Sequence, residues 1–538
     1  MMMTDTLAAL LDATAARFPE HEAIAYAPAG TVTVRRSWRE LRAASRDAAK
    51  RLAGLGVGKG TRVALLCSNR PEWLPLAFGA ARLGALLVPL STLWKRDELA
   101  YALRHADVSV LLTLPRFLRH DYVAALAAIV PSLASAEPGR LHAAELPALR
   151  RVVLIEGDAP GCERWDDLPA ALDDAGLDGL EAGVSPLDPA VVFFTSGTTA
   201  QAKAVVQSHR ALTISGRRVS ECLGIGPEDA WWGHMPLFWS GGFVIGALTT
   251  IAGGGRIVLQ EVVEPGPALA LLEAERCTIM LGWHQAAPLL EHPDFPRRRL
   301  FLKKGSGGTH PLAPRLLGAD HVSVGMYGMT ETATCITCGR WDDPEPIRTG
   351  TFGRPLAGME LRIVDPETGR PVAPGESGEI LVRGPTLMEG YLRVPHEDTF
   401  DPEGFFRTGD LGRLDEAGCL HFATRLKDVI KTAGVNVAAN EVEEALARHP
   451  AVRSAHVVGV ADAARGENVA AFVVLRPEAD ADAETLRAFC RESLASYKVP
   501  RHVFVIADGE LPRTATGKIE KAALRRTAEA RVAASRDR

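Results

Sequence analysis

Residues 191–203 read VVFFTSGTTAQAK, and this stretch decides the fold. Its first four residues are β-branched or aromatic, which predicts the end of a buried strand. Hydroxyl side chains around one glycine follow, and a lysine ends the stretch: Thr195, Ser196, Gly197, Thr198, Thr199 and Lys203. Triphosphate oxygens bind hydroxyls, free backbone N–H groups and a mobile ammonium. The stretch indicates a phosphate-binding loop, although an ordinary Ser/Thr-rich loop has the same composition and the P-loop pattern G-x-x-x-x-G-K-S/T does not occur.

Length and composition limit the class of protein. A chain of 538 residues is too long for one hydrophobic core and predicts several domains. Its net charge of −5 gives no general attraction to nucleic acid or to an anionic membrane. The most apolar region, residues 74–90, contains Arg82 and two prolines, so we interpret it as a core helix and a strand rather than as a membrane segment.

Targeting and cysteine patterns favour a cytoplasmic protein. The N-terminus carries no basic and apolar signal pattern, and residues 1–20 resemble a short amphipathic helix. Eight cysteines are scattered along the chain, as in proteins of a reducing compartment. The C-x-x-C pair of Cys335 and Cys338 has no second pair or histidine at zinc spacing, so we do not expect it to hold a metal.

The first half of the chain alternates helical patterns with short apolar runs, which predicts parallel strands covered by helices. Strands are expected at residues 62–67, 86–89, 108–113, 256–259 and 278–281, and helices at residues 72–83 and 97–105. Ser37 and Glu40 have capping-box spacing. Residues 131–186 show weak periodicity and are expected to form surface helices and loops.

The sequence pattern changes after residue 350. Gly, Pro and Asp interrupt short β-like runs, which predicts a small antiparallel barrel or sheet. After residue 425 we expect a compact α+β unit, ending in a solvated basic helix at residues 518–538. The predicted class is α/β: a large N-terminal domain (residues 1–424) of parallel-sheet subdomains with a small β-barrel-like subdomain, followed by a small mobile α+β C-terminal domain (residues 425–538).

Two further segments carry candidate site residues. In GMYGMTE, residues 325–331, Tyr327 could stack on a base, Thr330 could reach a phosphate and Glu331 could hold Mg²⁺. A plain strand-to-helix turn with Thr330 as N-cap is the alternative. In RTGD, residues 407–410, we expect a tight turn before a strand, and Asp410 either accepts ribose hydroxyls or belongs to a surface turn.

The C-terminal part adds charged residues whose roles stay open when each is taken alone. RLKD and KTAG, within residues 425–434, fit either a hinge or a solvated linker, and PRTATGK places Lys518 on a turn. TSGTT, YGMTE, RTGD, RLKD and PRTATGK occur in this order, and the chain resembles the adenylate-forming superfamily. That superfamily contains the AMP-forming acyl-CoA synthetases, the firefly luciferases and the peptide-synthetase adenylation domains. GVGKGTRVALLCSNRPEW and GALLVPL extend the resemblance over essentially the whole chain.

The resemblance implies a two-step reaction that uses ATP, Mg²⁺ and CoA. A carboxylate attacks the α-phosphate of ATP to give acyl-AMP and pyrophosphate, and a thiol, usually that of CoA, then displaces AMP. Lys518 would offset the repulsion between the carboxylate and the α-phosphate. The loop at residues 195–203 would hold pyrophosphate, with Mg²⁺ on Glu331 and Thr330 near a phosphate.

The same resemblance implies the remaining binding residues. Asp410 and Arg425 would hold the ribose. The residues around adenine would be Tyr327, Gly328, Gly307 and Gly308. The C-terminal domain would rotate about a hinge at Lys427 between the two steps, and the turn that would then line the pantetheine tunnel contains Lys431, Ala433 and Gly434.

Departures from the family pattern carry information. Ala200 replaces a usual glycine and Ala202 a common proline; an alanine forced to positive φ costs roughly 1 kcal/mol, which slows a loop without abolishing binding. Thr424 stands where a glycine usually precedes the arginine, which weakens the hinge interpretation. Trp239 stands where many relatives have His, and it either gates an acyl tunnel, as in some long-chain enzymes, or only packs in the wall.

The expected acyl pocket is apolar. No acidic residue lies between Met235 and Gly255, so we do not expect an amino-acid substrate. The expected lining is Trp239, Phe243, Trp283, His284, Gly305, Met326 and Ile336. Trp283 and His284 also have an ordinary core interpretation.

The sequence therefore predicts an acid–CoA ligase for a hydrophobic, medium- or long-chain fatty acid. An aryl-acid ligase, or one that loads a carrier protein, is an alternative, although no carrier domain follows Lys518. A non-catalytic acyl-nucleotide-binding homologue is the alternative from another class. The expected partners are a small carboxylic acid, ATP and CoA, with no nucleic acid and no integral membrane segment; a homodimer is a possible assembly.

Overall fold

The structure, a computed structural model, describes residues 6–195, 202–283, 285–310, 312–318, 320–432, 435–462, 465–514 and 518–536. The chain divides into two compact units. The first comprises Met1–Leu361, Val382–Phe406 and Gly418–Leu420, and the second comprises Arg362–Leu381, Arg407–Ala417 and His421–Arg538. The domain boundary expected at residue 425 stays a prediction. Among the described helices, none is long and apolar enough to cross a membrane.

The α-helices are α1 (Leu7–Arg17), α2 (Trp38–Gly54), α3 (Trp73–Arg82), α4 (Arg96–His105), α5 (Tyr122–Ile129), α6 (Asp174–Glu181), α7 (His209–Leu223), α8 (Thr249–Gly253), α9 (Pro265–Ala274), α10 (Ala286–Glu291), α11 (Ala313–Leu317), α12 (Glu345–Gly350), α13 (Ala439–Ala447), α14 (Ala483–Ser493) and α15 (Lys521–Arg536). A π-helix, Gly241–Leu248, leads directly into α8.

The strands are β1 (Glu22–Ala27), β2 (Val34–Ser37), β3 (Arg62–Leu66), β4 (Leu86–Pro89), β5 (Val110–Thr113), β6 (Arg116–Phe117), β7 (His120–Asp121), β8 (Arg151–Leu154), β9 (Glu163–Arg164), β10 (Pro189–Thr195), β11 (Lys203–Ser208), β12 (Ala230–Gly233), β13 (Arg256–Gln260), β14 (Ile279–Met280), β15 (Lys304–Gly305), β16 (Met326–Tyr327), β17 (Thr337–Cys338), β18 (Arg354–Pro355), β19 (Glu360–Val364), β20 (Gly378–Arg383), β21 (Gly390–Tyr391), β22 (Phe406–Leu414), β23 (Leu420–Arg425), β24 (Val429–Thr432), β25 (Val435–Ala438), β26 (Val452–Asp462), β27 (Gly466–Leu475) and β28 (His502–Val505).

An eight-stranded sheet in the first unit contains the strand that opens the glycine- and hydroxyl-rich stretch. Its order is β21-β11-β10-β4-β3-β5-β8-β9, parallel from β10 to β9 and antiparallel at the β10–β11–β21 edge. β10 lies between β4 and β11, and its residues Val191, Val192 and Phe193 are at most 2% exposed. The predicted buried strand end is confirmed.

A six-stranded sheet of order β15-β14-β12-β13-β1-β2 completes the larger part of the first unit. All its pairs are parallel except β1 with β2. The predicted α/β class is confirmed, as are the strands expected near residues 256–259 and 278–281. The capping box is also present, because Ser37 N–H donates to Glu40 Oε2 at 2.7 Å while Glu40 N–H donates to Ser37 Oγ at 3.2 Å.

The apolar region at residues 74–90 forms the core helix α3 and the strand β4, as predicted. Every residue of α3 is buried, including Arg82. The Arg82 guanidinium is bonded to the carboxylates of Asp12 and Glu181, each at 2.5 Å. A buried cation needs such partners because desolvation disfavours its charged form.

The prediction for residues 131–186 is wrong at one point. The segment contains β8, which pairs in parallel with β5 inside the eight-stranded sheet. Val152, Val153 and Leu154 are at most 2% exposed. A strand covered on both faces shows no alternation of polar and apolar residues, so its short apolar run lacks the periodicity used to find strands.

Two small sheets follow. β16, β17 and β18 form an antiparallel sheet, and β19-β20-β22-β23 form a sheet of four strands. The tight turn expected at residues 407–410 is wrong: these residues lie inside β22. Gly409 has φ = 69°. Glycine adopts this left-handed conformation without steric cost, so it can bend a strand as well as make a turn.

The second unit has a sheet covered on both faces. Its order is β25-β24-β27-β26, with β28 on β27. Alternate residues of β27 face opposite sides: Val469, Ala471 and Val473 pack with α13 and α14, whereas Ala470, Phe472 and Val474 pack with α15.

The interpretation of the basic tail as a solvated helix is therefore wrong. Leu524, Ala528 and Val532 of α15 are at most 5% exposed in the second cluster. Their spacing of four residues places them on one face of a helix, but they are few among many charged residues and the stripe is easily missed.

Candidate active site

Several candidate residues follow the carboxyl ends of parallel strands in the first unit. Thr195 ends β10, Trp239 follows β12, Trp283 follows β14, and Gly307 follows β15. Ligands of open α/β sheets bind outside the carboxyl ends of the strands. The last three residues follow parallel strands of the six-stranded sheet and share its edge, whereas Thr195 ends a strand of the eight-stranded sheet.

Glu331 and Thr330 lie in a 3₁₀ turn, Thr330–Thr332, shortly after β16. The Tyr391 hydroxyl donates to Glu331 Oε1 at 2.8 Å. Thr330 Oγ1 lies 2.9 Å from Ser240 Oγ, and Gln207 Nε2 donates to the Thr330 carbonyl at 2.7 Å. Both candidate ligands are thus held by side chains from other parts of the first unit.

Lys203 reaches the same tyrosine. Its Nζ lies 4.5 Å from the centroid of the Tyr391 ring, within the range of a cation–π interaction. Lys203 pairs with Thr195 across β10 and β11. The structure therefore brings Lys203 and Glu331 together on Tyr391. Ser196, Gly197, Thr198, Thr199 and Ala200 lie outside the described residues.

The Tyr391 hydroxyl stays protonated at ordinary pH. Burial, followed by the charge of the Glu331 carboxylate, raises the pKa of Tyr391 far above its usual value. The hydroxyl therefore acts as a donor to Glu331.

The turn after Glu331 is strained. Ala333 and Thr334 have φ of 44° and 70°. This region disfavours any side chain and disfavours β-branched residues most. The Ser215 hydroxyl donates to the Ala333 carbonyl at 2.7 Å, and Thr334 N–H donates to Met329 O at 2.8 Å. These bonds hold the turn in its unfavourable conformation.

The glycines expected around adenine are required by close packing within the protein. A Cβ on Gly307 would lie 1.9 Å from Trp283 Nε1, and one on Gly308 would lie 2.1 Å from the Arg348 carbonyl oxygen. A Cβ on Gly328 would lie 2.3 Å from the Thr334 carbonyl oxygen. Tyr327 is 7% exposed. Contact of these four residues with adenine stays a prediction.

The expected acyl wall combines aromatic rings with a fixed loop. Trp239 is half-buried and perpendicular to Phe238, with ring centroids 5.8 Å apart. Asn69 fixes the preceding loop: its Nδ2 donates to Gly233 O and Met235 O, and its Oδ1 accepts from Leu237 N–H, all at 2.9 Å.

The other wall candidates differ in their surroundings. Trp283 stacks on His310 with centroids 4.5 Å apart, and its Nε1 donates to Ser306 O. Phe243 is 1% exposed and packs against Trp73 at 5.0 Å. Gly305, Met326 and Ile336 lie in or beside β15, β16 and β17. His284 lies outside the described residues.

In the second unit the structure brings Asp410, Arg425 and Lys518 together. Arg425 Nε lies 3.2 Å from Asp410 Oδ1, and Asp410 is 2% exposed. Loss of hydration and the Arg425 cation lower the pKa of Lys518. Arg425 and Lys518 carry two positive charges and Asp410 one negative charge. The cluster therefore has a net positive charge, and a bound anion would stabilise it.

The expected hinge and tunnel residues lie just after β23. Lys427 is in a 3₁₀ turn, Leu426–Asp428, and Lys431 is in β24 with its N–H bonded to Glu467. β24 and β25 form a hairpin in which Thr432 faces Val435. Ala433 and Gly434, between them, lie outside the described residues.

A cleft of about 550 Å³ also lies in the second unit. Its charged and polar lining includes Arg487, Arg491, Arg501, His502, Asn468 and Asp462. Glu484 is bonded to both Arg487 and Arg491. Within the described part of the chain, Arg487 Nε is buried and has no hydrogen-bond partner.

The donor set suits a metal that arrives with phosphate. Glu331 keeps Oε2 clear of the Tyr391 bond, and Thr330 adds a hydroxyl, both hard oxygen donors. Among the described residues, no group of three or more His, Cys, Asp or Glu side chains could hold a metal ion. Mg²⁺ is commonly bound by one or two carboxylates together with substrate phosphates, so Glu331 fits Mg²⁺ delivered with ATP.

Sequence reasoning missed four residues that support the site: Tyr391, Ser240, Gln207 and Asn69. Tyr391 is 60 positions from Glu331, and Asn69 is 168 positions from Leu237. No local pattern connects such distant residues. The GY pair at residues 390–391, after a glycine- and proline-rich segment, was the one available signal for Tyr391.

Comparison with known proteins identifies the family. The model of the AMP-binding enzyme family matches residues 11–392, and that of the AMP-binding enzyme C-terminal domain matches residues 441–518. The 3-[(3aS,4S,7aS)-7a-methyl-1,5-dioxo-octahydro-1H-inden-4-yl]propanoyl:CoA ligase of Rhodococcus jostii (strain RHA1) is 34% identical over 91% of this chain and 94% of its own.

A second relative and a solved structure are also CoA ligases. The mitochondrial medium-chain acyl-CoA ligase ACSF2 of Mus musculus is 29% identical over 98% of this chain and 88% of its own. The crystal structure of the anthranilate CoA ligase AuaEII with anthranoyl-AMP has a TM-score of 0.84 and 25% identity, covering 99% of both chains. The chain belongs to the AMP-binding enzymes, and it is an ATP-dependent, AMP-forming acid–CoA ligase.

Proposed function

We propose that this ligase activates a hydrophobic carboxylic acid, a medium- or long-chain fatty acid, and transfers the acyl group to CoA. The observation that carries the proposal is the wall around Trp239, which has no acidic residue from Met235 to Gly255 and lies on a loop fixed by Asn69. Such a wall offers no partner for an ammonium group and favours an apolar chain. The name of the mouse relative points to the same substrate class.

In the proposed first step, a carboxylate oxygen attacks the α-phosphorus of ATP and the bond to the β-phosphate oxygen breaks. Lys518 offsets the charge of the two anions, because it is a cation next to the Arg425 cation and gains stability when anions bind beside it. Asp410 and Arg425 orient the ribose, and Lys203 holds phosphate oxygens. Mg²⁺ on Glu331 would supply charge neutralisation for the departing pyrophosphate.

In the proposed second step, the CoA sulfur attacks the acyl carbon, the bond to AMP breaks and the thiol proton passes to solvent. The three arginines of the cleft in the second unit suit the phosphates of the CoA nucleotide. Lys431, Ala433 and Gly434 are proposed to flank the pantetheine arm. In this proposal residues 1–424 are the adenylation domain, and residues 425–538 are a mobile domain that turns about Lys427.

An aryl acid is the second candidate, because the solved structure with a TM-score of 0.84 is an anthranilate CoA ligase and Trp283 stacked on His310 offers a flat aromatic wall. Pyrophosphate release and thioester formation should be measured with fatty, aryl and amino acids, with and without CoA. The fatty-acid proposal predicts the highest kcat/KM for fatty acids and thioester only with CoA. Higher kcat/KM for aryl acids would overturn it, and no pyrophosphate with any acid would support the non-catalytic alternative.

The cellular setting is also a proposal. All eight cysteines are buried, and none forms a disulfide. Their state suits a reducing compartment, and we propose a cytoplasmic location. Fractionation of the native host would test it, since the name of the mouse relative includes "mitochondrial". A homodimer is tested by the mass of the protein in solution.

A further inference from the structure

Tyr391 links the two charged groups of the first unit that are expected to meet ATP. Its hydroxyl donates to Glu331 Oε1 at 2.8 Å, and its ring lies 4.5 Å from Lys203 Nζ. These three residues come from separate segments of the chain. A single side chain therefore sets the positions of a carboxylate and an ammonium at once.

The backbone leaves Tyr391 little freedom. In the β11–β21 pair, Tyr391 faces Val205, and Leu392 N–H donates to Ala204 O at 2.8 Å. Met388 N–H donates to the Glu331 carbonyl, also at 2.8 Å. The tyrosine and the glutamate are thus fixed to each other by main chain as well as by side chain.

Beyond the turn, Arg393 secures the segment. Both its bonds to the Asp107 carboxylate are 2.8 Å long, and Asp107 is also bonded to Arg62, the first residue of β3. Tyr391 is therefore held at both ends of its short strand.

The contact has a chemical consequence. A carboxylate and an ammonium that pair with each other offer less charge to a ligand, whereas Tyr391 gives each a neutral partner. Among the described residues, no ion pair joins Lys203 to Glu331. Glu331 Oε2 and the Lys203 N–H groups stay available for a metal and for phosphate oxygens. Hydrogen-bonded partners of this kind fix the orientation of metal-binding carboxylates.

We propose that Tyr391 is a positioning residue that presents Glu331 to the divalent cation of MgATP and holds Lys203 for its phosphates. The inference rests on the proposed roles of Glu331 and Lys203 in binding MgATP.

The test measures ATP binding by calorimetry at increasing Mg²⁺, without acid, in the full chain. Tyr391→Phe removes the hydroxyl but keeps the ring. We expect the Mg²⁺ concentration for half-maximal ATP binding to rise by roughly 10-fold or more, since loss of such partners weakens metal affinity by about 10–100-fold. ATP affinity at saturating Mg²⁺ should change little. Tyr391→Leu should also lower ATP affinity at saturating Mg²⁺, because Lys203 loses its ring.

Tyr26→Phe is the matched control. Tyr26 is a buried tyrosine whose hydroxyl donates at 2.5 Å to the carboxylate of Glu261, a residue to which no role in ATP binding is assigned. We expect it to lower the melting temperature as much as Tyr391→Phe without changing the Mg²⁺ requirement. In a Glu331→Gln background, Tyr391→Phe should add no further shift.

The possible failures are distinguishable. An unchanged Mg²⁺ requirement in Tyr391→Phe, an equal rise in Tyr26→Phe, or a full further shift in the Glu331→Gln background would each overturn the positioning role. A wild-type chain that binds no ATP at any Mg²⁺ concentration would instead overturn the proposed function.

Discussion

The two charged clusters of this ligase are built differently. Around Tyr391, in the first unit, Glu331 and Lys203 are held by a neutral ring and hydroxyl and by strand pairing. In the second unit, Asp410, Arg425 and Lys518 interact mainly through their charges, and the Arg425 side chain is 50% exposed. The first cluster suits groups that must keep one geometry through a reaction. The second cluster suits groups that bind different partners during a reaction. Arg425 and Lys518 repel each other, so binding of an anion stabilises this cluster strongly.

Lys518→Ala should give the largest effect on catalysis. A small effect would contradict the view that the cluster in the second unit acts through its charges. Removing the cation should slow acyl-AMP formation by about 10²–10³-fold, the range for loss of one group that stabilises developing charge. Thioester formation from supplied acyl-AMP should survive. The two half-reactions are measured separately, and equal loss in both would remove the charge-neutralising role.

Asp410→Asn should give the next largest effect. Asp410 is buried, and its charge is shared with Arg425. Hydrogen bonds to charged groups are worth about 1.5–3 kcal/mol, so the KM for ATP should rise by roughly 10–100-fold. Asp415→Asn, which removes a carboxylate bonded to His421 at 2.9 Å, is the control and should leave that KM unchanged. A similar rise in the KM for ATP in both variants would mean that ATP binding depends on the total negative charge of this sheet and not on Asp410 itself.

Trp239→Ala should change which acids are accepted rather than ATP use. An indole buries on the order of 150–250 Å², so its loss opens space for several methylenes. Each methylene is worth roughly 1–3 kcal/mol of discrimination, so the gain in kcat/KM should be graded with chain length. A chain-length series for wild type and variant, with melting temperature as control, checks this. A uniform decline that follows lost stability would leave Trp239 a wall residue only.

Thr334→Gly should have the smallest effect, and the quantity measured is the free energy of unfolding. It tests whether the turn after Glu331 is held in a strained, rigid conformation. Thr334 has φ = 70°, a conformation that costs a non-glycine residue roughly 1–2 kcal/mol. Relief of this strain should offset the extra freedom of glycine in the unfolded chain, about 0.4–1 kcal/mol, so the free energy of unfolding should stay constant or rise slightly.

Thr332→Gly is the control for that prediction. Thr332 is buried, does not have positive φ, and its hydroxyl bonds to Met329 N–H and O. The same chemical change there should lower the free energy of unfolding by about 1–3 kcal/mol. Denaturant unfolding measures both, and equal destabilisation would show that the Thr334 turn is not strained.

Much of the fold follows from local sequence. The strands around residues 62–67, 86–89 and 256–259 and the Ser37 capping box depend on short-range patterns, and the structure has them. β8 was missed because a strand covered on both faces has no alternation. Residues 407–410 were expected to form a turn because Gly409 signals positive φ without indicating whether the chain reverses or only bends.

The candidate site also has residues that local sequence predicts and residues that it does not. The motif residues could be proposed from the sequence because each motif is contiguous, and their roles stay predictions, whereas the residues that hold them come from distant segments. Asn69 and Tyr391 could not be assigned from the sequence, since their partners are fixed by sheet order and strand register. α15 was misread because its buried stripe has only Leu524, Ala528 and Val532 among many charges.

The central claim is that this chain makes acyl-AMP from a hydrophobic acid and passes the acyl group to CoA. The most direct measurement is a single turnover with a medium-chain fatty acid and MgATP, analysed by mass spectrometry before and after CoA is added. The account predicts acyl-AMP and pyrophosphate in equal amounts first, and acyl-CoA with AMP after the addition. No acyl-AMP, or formation of ADP and phosphate in its place, would contradict it.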